Sequence, residues 1–355
     1  MRRILITGGA GFIGANLVRW WQHAHPEDTI VVLDALTYAG DLTKLEGLLD
    51  APTLSFVHGD ICDTEGVAKL LCDHAIDTVL HLAAESHVDR SIAGPDAFID
   101  TNIVGTHSLL KACRGVWQQA DGTWQPHRFH HVSTDEVFGS LDTDEAPFHE
   151  GSAYAPNSPY SASKAASDHL VRAYHQTYGL QTITTHCSNN YGPYQHAEKL
   201  IPYALTSILN GQPIGLYGDG LHVRDWLHVS DHCRGLSLAM QHGEVGASYG
   251  IGGEHQATNL DVATALCDHV QRRFKRAASL RERFPNCPAA SGADNRALIA
   301  FLDDRPGHDR RYAVDITRAR KDLGYTPKVS FEGGLRTTVT WYLAGSNTDI
   351  VAARS

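Results

Sequence analysis

The glycine-rich turn near the start of the chain is the feature that most limits its fold. The segment ITGGAGFIGANL holds Gly9, Gly11 and Gly14 in a G-x-G-x-x-G spacing, with Gly8 just before them. A β-branched run precedes the turn and a run of helical periodicity follows it. Glycine lets the backbone turn tightly and approach a pyrophosphate, whose charge is favoured by a helix N-terminus. The turn therefore predicts a strand–turn–helix unit that binds a dinucleotide.

An acidic residue at the end of the second apolar run indicates which dinucleotide this is. Asp34 ends the run TIVVLD, twenty positions after Gly14. A carboxylate there can bind both ribose hydroxyls, and it repels a 2′-phosphate. No arginine stands beside it in DALTYAG, so the sequence predicts NAD rather than NADP. The alternative is a glycine turn with a helix-capping aspartate. It would leave unexplained why the glycine spacing, the strand pattern before it, the helical pattern after it and Asp34 occur together.

The first half of the chain alternates short apolar runs with longer runs of helical periodicity. Such alternation is typical of right-handed βαβ units. We therefore predict an α/β fold, a Rossmann-like doubly wound parallel sheet with a smaller C-terminal substrate-binding domain. The first domain spans residues 1–189 and also receives segments from about 228–258, whereas residues 190–355 form the second, interleaved domain. The stretch 284–295 is predicted to be a surface insertion.

Charge and cysteine content exclude several classes of function. The net charge is -10, which argues against nucleic acid and anionic membranes as partners. The chain has 7 scattered cysteines and no CxxC pair, which favours a reduced, cytoplasmic location over a disulfide framework or zinc site. We expect no signal peptide because MRRILITGG runs straight into a strand pattern. We also expect no catalytic metal, since no H-x-x-x-H pattern is backed by carboxylates.

The segment YSASK places Tyr160 and Lys164 four residues apart in a run with helical character, so both project from one face. A phenol has a pKa of about 10 in water, and a nearby ammonium and a positive nicotinamide ring would lower it. Tyr160 would then act as a base near neutral pH. The same spacing also fits a solvated helix face. Behind a dinucleotide-binding start, with Thr134 at a strand end upstream, it predicts a catalytic pair.

The segment VSTDEVFG places Thr134, Asp135 and Glu136 together at the end of an apolar run. Adjacent carboxyls repel each other, and the end of a strand does not need them for stability. The tripeptide therefore forms either a solvated acidic loop or a device for moving protons.

Taken together, these motifs identify the chain as a member of the extended short-chain dehydrogenase/reductase family, and it resembles the nucleotide-sugar 4,6-dehydratases. The resemblance implies a Rossmann domain, a nucleotide-sugar domain, NAD as cofactor and a homodimer with contacts near residues 101–117 and 159–178. It rests on the segments LAAESHVDRSI, FIDTNIVGT, STDEVFG, SPYSASKAASDHLVRAY, CSNNYGPYQ, EKLIP, VRDWLHVSDH and DRPGHDRRYAVD. Two departures from the family pattern, QHAEKLIP and GLHVRDW, flank the expected nucleotide pocket and leave the base, thymine or uracil, open.

The implied reaction is the NAD-dependent 4,6-dehydration of dTDP-glucose to dTDP-4-keto-6-deoxyglucose, in deoxysugar and rhamnose precursor biosynthesis. By resemblance, Tyr160 takes the C4 hydroxyl proton, Thr134 hydrogen-bonds that oxygen and NAD accepts the C4 hydride. Glu136 removes the C5 proton, Asp135 protonates the departing C6 hydroxyl, and the hydride returns to C6. This requires Asp135 protonated and Glu136 ionised, which two interacting carboxyls in a closed site allow. The predicted catalytic residues are Thr134, Asp135, Glu136, Tyr160 and Lys164.

The remaining predicted site residues follow from their place at the carboxyl edge of the sheet and from the resemblance. The predicted cofactor-binding residues are Gly8, Gly11, Phe12, Ile13, Gly14, Asp34, Asp60, Ile61, Leu82, Ala83, Ala84, Thr101, Tyr160, Lys164 and Asn189. A sugar diphosphate also needs cations, and the planar fork of an arginine suits phosphate. The predicted substrate-binding residues are Ser86, His87, Asn190, Lys199, Leu200, Tyr217, Arg224, Asn259, His308 and Tyr312. Glu198 is assigned no chemistry and can form a structural pair.

Three other functions remain open. A UDP-sugar 4,6-dehydratase would share every motif, because the base of the nucleotide is not specified. A 4-epimerase or decarboxylase would share the fold, although Asp135 and Glu136 disfavour the epimerase. A non-catalytic dinucleotide-sensing scaffold belongs to another class, and the presence of Tyr160 and Lys164 argues against it.

Overall fold

The structure, a computed structural model, describes residues 1–345. Its largest element is a seven-stranded parallel sheet. The strands are β1 (Arg3–Thr7), β2 (Thr29–Asp34), β3 (Leu54–His58), β4 (Thr78–His81), β5 (Arg128–Thr134), β6 (Thr182–Cys187) and β10 (Ser248–Ile251). They lie in the order β10-β6-β5-β4-β1-β2-β3, with Ile6 of β1 opposite Val32 on one side and Leu80 on the other.

Helices cover both faces of this sheet, so its central strands are apolar on both sides. The first six helices are α1 (Phe12–Ala24), α2 (Thr64–Asp73), α3 (Val88–Ala93), α4 (Asp96–Phe98), α5 (Thr106–Trp117) and α6 (Pro159–Tyr178). The others are α7 (Leu200–Asn210), α8 (Val229–His242), α9 (Asn259–Arg276), α10 (Ala278–Arg283), α11 (Thr317–Leu323) and α12 (Phe331–Ala344). Helices α1 and α8 cover one face, and α2, α5 and α6 cover the other.

A second region has its own core and smaller sheets. Its strands are β7 (Asn189–Tyr191), β8 (Ile214–Tyr217), β9 (Val223–His228), β11 (Gln256–Thr258) and β12 (Ile299–Leu302). They form a three-stranded sheet, β11-β9-β7, and a pair, β12-β8. Apolar residues of α7, α9 and α12 pack into one cluster beneath them.

The two regions exchange segments. Helix α8 and strand β10 follow residue 189 in the chain but pack on and extend the large sheet. The predicted fold class, a Rossmann-like parallel sheet, is confirmed. The domain boundary at residue 189 stays our proposal, and residues 346–355 of the predicted second domain lie outside the described residues.

The predicted surface insertion at 284–295 exposes residues such as Asn286 and Gly292 and is also anchored in the core. Phe284, Cys287 and Ala289 are buried in the same apolar cluster as α9. The Asn295 side chain is fully buried, accepts a hydrogen bond from the Ala289 amide (3.1 Å) and donates one to the Cys267 carbonyl (3.3 Å). These contacts fix the segment against α9 because buried polar groups need partners.

Two further findings bear on the sequence-based expectations. Across residues 1–345, no helix is both long and apolar enough to cross a membrane. The cysteines of this part of the chain are all free thiols, and five of the seven are buried.

Candidate active site

A cavity of about 320 Å³ opens at the carboxyl edge of the large sheet, between the glycine turn and the start of α6. Every predicted catalytic residue and every predicted cofactor-binding residue lines it. Of the predicted substrate-binding residues, Ser86, Asn190 and Lys199 line it as well. One enclosed space therefore joins the glycine turn, the tripeptide that begins at Thr134, and the Tyr160–Lys164 pair.

The glycine turn leaves no room for side chains. Gly8 has φ +70°, and a Cβ there would lie 2.7 Å from the backbone nitrogen of Ala83. A Cβ on Gly14 would lie 2.1 Å from the Gly8 carbonyl oxygen. Helix α1 begins after Gly11 without a side-chain cap, so its first amides remain available for a phosphate. The turn has the shape that a bound pyrophosphate requires.

Asp34 ends β2 and fixes the turn in place. One carboxylate oxygen accepts the Ala10 amide (2.9 Å), and the other accepts the Leu36 amide (2.8 Å). Each oxygen keeps a further lone pair that can accept a ribose hydroxyl. The residues present therefore fit the dinucleotide that the sequence predicts, and Asp34 also holds the glycine turn, which the sequence did not reveal.

Helix α6 carries Tyr160 and Lys164 on its first turns. The helix starts with a capping box, in which Ser158 and Ser161 each bind the other's backbone amide through a side-chain hydroxyl (3.1 and 3.0 Å). The Lys164 ammonium donates to the Val132 carbonyl (2.9 Å), which fastens the helix to the end of β5. Both catalytic candidates are thus held by local structure and by one tertiary hydrogen bond.

The expected low pKa of Tyr160 is not found in the protein alone. Burial raises the pKa of the phenol well above its usual range, and the carboxyl of Glu136 raises it further. A hydrogen bond from Thr134 lowers it, but not by enough. The Lys164 ammonium is itself buried, which lowers its own pKa. The predicted lowering of the Tyr160 pKa therefore needs the positive nicotinamide ring as well as the ammonium of Lys164, and it stays a prediction.

The tripeptide is not a solvated loop. Strand β5 ends at Thr134, and the chain continues into a 3₁₀ turn, Asp135–Phe138. The Thr134 hydroxyl accepts the Glu136 amide (3.3 Å) and donates to Asp135 Oδ1 (3.4 Å). Asp135 is only 1% exposed, and its Oδ2 is buried without a hydrogen-bond partner within residues 1–345. A carboxyl in such a place is costly as an anion.

Different charged groups act on the two acids, Asp135 and Glu136. Burial raises the pKa of Asp135 well above its usual range, and the Glu136 and Asp225 carboxyls raise it further. Burial also raises the pKa of Glu136, but Lys199, Arg305 and Arg224 all lower it. The neighbouring carboxyls therefore favour the protonated form of Asp135, whereas the three cations favour the ionised form of Glu136, which suits an acid beside a base.

A third acid, which sequence reasoning missed, stands behind Asp135. Asp225 lies on β9, is 1% exposed, and accepts hydrogen bonds from the amides of Gly253 (3.3 Å) and His255 (3.0 Å). Burial nevertheless raises its pKa to about 6. It follows Arg224 in the segment VRDW, where the arginine was taken as the functional residue. No signal in the sequence marks Asp225, because only the packing of β9 brings it near Asp135.

The residues around Lys199 connect the cavity to a charged rim. The Lys199 ammonium donates to the Ser86 carbonyl (2.8 Å). The Glu198 carboxylate lies 3.4 Å from Arg90 and 3.7 Å from His87, so it takes part in a structural cluster as the sequence allowed. His87 does not line the cavity itself.

Arg224, Tyr312 and several other predicted substrate contacts lie beyond the cavity wall. The Arg224 guanidinium donates to the carbonyls of Val223 (2.8 Å) and Asp309 (2.9 Å) and stacks over the Tyr312 ring at 4.3 Å. The Tyr312 hydroxyl donates to the Asp309 carboxylate (2.5 Å). Backbone oxygens therefore accept much of what the guanidinium can donate. Its charge still lowers the pKa values of Asp135 and Glu136 in the cavity.

The His308 ring stacks on His222, with centroids 3.6 Å apart and planes 16° from parallel. Both histidines contact the Asp304 carboxylate, at 2.6 Å and 3.3 Å. Their nitrogens and the carboxylate are close enough together for a metal ion. Two stacked rings cannot both direct in-plane lone pairs at one ion, so this arrangement is not a preformed metal site.

Arg305 is a further cation that sequence reasoning passed over, although it lies in the quoted segment DRPGHDRRYAVD. Its guanidinium donates to Asp89 Oδ1 (2.9 Å), while the Tyr217 hydroxyl donates to Asp89 Oδ2 (3.2 Å). Its charge lowers the pKa of Glu136. The need of a diphosphate for a planar donor was the signal that could have favoured Arg305 over His308.

Two of the predicted substrate residues, Leu200 and Asn259, are the first residues of helices, and Asn190 lies in strand β7. Leu200 begins α7 and Asn259 begins α9, and neither lines the cavity. Asn190 lines the cavity, donates through Nδ2 to the Ser188 carbonyl (3.0 Å) and accepts through Oδ1 from His232 Nδ1 (2.9 Å).

Comparison with known proteins places this arrangement in a family. The family model of GDP-mannose 4,6 dehydratase matches residues 5–338. The chain belongs to the GDP-mannose 4,6 dehydratase family. The predicted resemblance to nucleotide-sugar 4,6-dehydratases of the short-chain dehydrogenase/reductase type is confirmed.

Relatives in this family are similar over almost the whole chain. A dTDP-glucose 4,6-dehydratase of Shigella flexneri is 48% identical over 354 residues, which cover 97% of this chain and 94% of the relative. One from Neisseria meningitidis serogroup B is 50% identical over 344 residues, with the same coverage of 97% and 94%. The crystal structure of DesIV, a dTDP-glucose 4,6-dehydratase of Streptomyces venezuelae with NAD and TYD bound, matches with a TM-score of 0.84 and 45% identity over 96% of each chain. A UDP-glucose 4-epimerase of Thermotoga maritima matches with a TM-score of 0.79 and 26% identity over 97% of this chain and 100% of the other.

This member of the 4,6-dehydratase family has another buried acid, Asp168, near the cavity. Asp168, two helical turns after Tyr160, accepts hydrogen bonds from Ser133 (2.9 Å) and Tyr154 (2.9 Å). His131 and His186 each place Nε2 3.0 Å from its carboxylate. Burial alone would raise the pKa of Asp168, but the hydrogen bonds from the two histidines bring it well below its usual range.

The charge of Asp168 acts on the catalytic helix. Burial and the Lys164 charge lower the pKa of His131 to about 4, so this histidine is a neutral donor and leaves the anion uncompensated. The Asp168 carboxylate then raises the pKa of Lys164 against the effect of burial. In this dehydratase, a buried anion one turn further along α6 thus helps to keep Lys164 charged.

Proposed function

We propose that the protein is an NAD-dependent dTDP-glucose 4,6-dehydratase, a hydro-lyase that forms dTDP-4-keto-6-deoxyglucose as a precursor of deoxysugars such as rhamnose. The observation that carries this proposal is the pairing of Asp135 and Glu136 in one cavity with Tyr160, where carboxyls surround Asp135 and cations act on Glu136. Relatives that are 48–50% identical and act on dTDP-glucose support the choice of substrate.

NAD is the proposed cofactor, and a relative crystallised with NAD supports it. The amides after Gly11 would bind the pyrophosphate, Asp34 the ribose hydroxyls, and Tyr160 and Lys164 the nicotinamide end. When bound, NAD accepts a hydride from the sugar C4 and later returns it to C6. The other predicted cofactor residues complete the wall around it.

Tyr160 performs the first proton transfer. It removes the C4 hydroxyl proton while Thr134 hydrogen-bonds the same oxygen, and oxidation of C4 to a ketone makes the C5 hydrogen acidic. The high pKa of Tyr160 in the protein alone means that a cation bound beside it must favour the phenolate.

Glu136 and Asp135 perform the elimination. Glu136, kept ionisable by Lys199, Arg305 and Arg224, takes the C5 proton. Asp135, which remains protonated, gives its proton to the C6 oxygen, and water leaves. Two carboxyls with separated pKa values can therefore act as base and acid at the same pH.

The substrate diphosphate is proposed to lie against Lys199 and Arg305, at the rim where Ser86 and Asp89 hold them. Thymine is the proposed base because the relatives named above use dTDP-glucose.

We also propose the assembly of the protein, its location and the boundary of its second domain. A homodimer would join the segments 101–117 and 159–178, where Val104 is 49% and Tyr178 38% exposed. Sedimentation of Val104→Asp should then show fewer dimers than the unmodified protein. A cytoplasmic location agrees with the free thiols. The nucleotide-sugar domain is proposed to begin at residue 190.

The function is tested by incubating the purified protein with dTDP-glucose or UDP-glucose in heavy water and following the sugar nucleotide by mass spectrometry. Loss of one water with one deuterium gained at C5, and faster reaction of dTDP-glucose, are expected. A product of unchanged elemental composition would instead indicate an epimerase. Glu136→Gln should bind NAD but stall elimination, and normal turnover by this variant would remove Glu136 from the role of base.

A further inference from the structure

A strap of chain, residues 193–199, runs along one side of the cavity and is anchored at both ends. The Pro193 carbonyl accepts a hydrogen bond from the Asn16 side chain of α1 (3.0 Å). The Lys199 ammonium donates to the Ser86 carbonyl (2.8 Å). The strap contributes four residues to the lining of the cavity, Gln195, His196, Glu198 and Lys199. It therefore spans the cavity from α1 to the chain after β4.

The loop after β2, residues 35–41, forms another side of the same cavity. It follows Asp34, the proposed ribose ligand, and the Asp41 amide donates to a carbonyl of the glycine turn (3.1 Å). The loop meets the strap where the Tyr38 and His196 rings lie edge to face, with centroids 5.6 Å apart. A dinucleotide bound at Asp34 and the glycine turn would thus be enclosed by the loop and the strap.

Arg90, in the first turn of α3, joins the loop to the strap. Its guanidinium carbon lies over the Tyr38 ring, 3.9 Å from the centroid, and its Nε lies 3.4 Å from the Glu198 carboxylate. The Arg90 side chain is 52% exposed, and neither Arg90 nor Tyr38 lines the cavity. These three side chains, which we call the Arg90 clasp, therefore connect the loop and the strap on the side that faces solvent.

We propose that the Arg90 clasp holds the loop and the strap together over bound NAD and must open before the cofactor can enter or leave. This inference rests on the proposed function, in which a hydride leaves the sugar and later returns to it. Escape of the reduced cofactor between these steps would leave an unsaturated keto sugar without its hydride donor. A slow exit for the cofactor therefore serves this reaction.

The clasp is expected to have a moderate effect because its contacts are partly exposed to solvent. An exposed cation–π contact and an exposed ion pair each contribute little, so together they should favour the closed form by about tenfold. Arg318 offers a matched control on α11. It lies over the Tyr249 ring at 5.0 Å and 3.5 Å from the Glu244 carboxylate, and it does not line the cavity.

The test measures cofactor exchange without any sugar. Protein loaded with radiolabelled NAD is chased with unlabelled NAD to give the release rate, and stopped-flow fluorescence of NAD-free protein gives the association rate. The same opening step precedes entry and release, so Arg90→Ala should speed both by about tenfold and leave the Kd of NAD unchanged. Arg318→Ala should change neither rate. Arg90→Lys keeps the charge but not the planar stacking group, so its rates should lie between those of Arg90→Ala and the unmodified protein.

A second readout is the loss of cofactor during turnover. With dTDP-glucose, Arg90→Ala should lose activity progressively and regain it when NAD is added, whereas Arg318→Ala should keep its activity. Equal exchange rates in the two alanine variants would overturn the clasp. Faster release with an unchanged association rate would also overturn it, because Arg90 would then act as a ligand of NAD.

Thermal melting shows whether Arg90→Ala folds. If it does not, Tyr38→Leu replaces it, and the same rates support or overturn the clasp by the same criteria. Failure of the unmodified protein to bind NAD or to dehydrate dTDP-glucose would refute the proposed function instead.

Discussion

Two buried aspartates on opposite sides of the end of β5 meet opposite surroundings. Asp168 is 4% exposed, and its Oδ2 accepts hydrogen bonds from Ser133, Tyr154 and His186 at 2.9–3.0 Å. Its Oδ1 lies 3.0 Å from His131 Nε2 but makes no hydrogen bond within residues 1–345. Asp135 is 1% exposed and has a single donor at 3.4 Å, while its second oxygen has no partner within residues 1–345. The same side chain is therefore kept as an anion in one place and as an acid in the other.

The comparison shows that the number of donors, rather than burial, decides the charge of a buried carboxyl here. Burial raises the pKa of both groups, and only hydrogen bonds to the ionised form can reverse that effect. The ionised Asp168 joins β5, β6 and α6, and it supports Lys164. The protonated Asp135 is free to give its proton away.

The largest expected effect is on stability. Asp168→Asn should lower the free energy of unfolding by about 3–5 kcal/mol, as in other buried charge networks that lose one partner. An amide cannot accept from all of the groups around Asp168, since its NH₂ group would face some of them. Chemical denaturation should show this loss, whereas Asp135→Asn should leave the unfolding free energy unchanged or higher. Equal losses in the two variants would contradict the difference between the sites.

Asp135→Asn, which should not lower stability, should instead lower activity. Asp135→Asn should lower kcat by about a hundredfold or more, because a positioned general acid contributes at least that much. Its NAD affinity, measured by calorimetry, should stay within a few-fold of the unmodified protein. A variant that dehydrates dTDP-glucose at the normal rate would show that another group protonates the C6 oxygen.

Smaller effects follow from removing single donors around Asp168. Ser133→Ala and Tyr154→Phe should each cost about 1.5 kcal/mol of stability, the lower range for a hydrogen bond to a charged group. Thr134→Ser, one residue from Ser133, serves as the control because it removes a methyl group and no donor to Asp168. Unfolding free energies that match the control would mean that Asp168 does not need all of its donors.

The smallest effects concern pH. The lowered pKa of Asp168 contributes stability that is complete above about pH 4, where unfolded aspartate ionises, and that is lost as pH falls further. The raised pKa of Asp135 has the opposite sign, and its cost grows as pH rises above that value. Activity should decline on the acid side as Glu136 is protonated and on the alkaline side as Asp135 ionises. Asp225→Asn removes a like charge, so the alkaline limb of kcat should move to lower pH. An unmoved limb would exclude Asp225 from this role.

Local rules explain what could be predicted from the sequence. The glycine turn, Asp34 and the helix that carries Tyr160 are set by residues close together in the chain, and α6 spans the predicted 159–178. Thr134 was expected at a strand end, and β5 ends there. Adjacent acids at such a place indicated proton transfer for the same local reason.

The rest depends on segments that are distant in sequence. Asp225 reaches Asp135 from β9, and Arg305 approaches Glu136 from the chain after β12, so no spacing marks either one. The high pKa of Tyr160 comes from burial, which a motif does not reveal. The groups around Asp168 come from β5, from β6 and from the loop that holds Tyr154, and only the packed structure brings them together.

The protonation of the two aspartates can be measured directly by ¹³C NMR of protein labelled at the aspartate carboxyl carbons. Asp135→Asn and Asp168→Asn assign the two signals. At neutral pH, we predict that the Asp135 signal is that of a protonated carboxyl and the Asp168 signal that of a carboxylate. An ionised Asp135 at neutral pH would contradict its function as the acid that expels water.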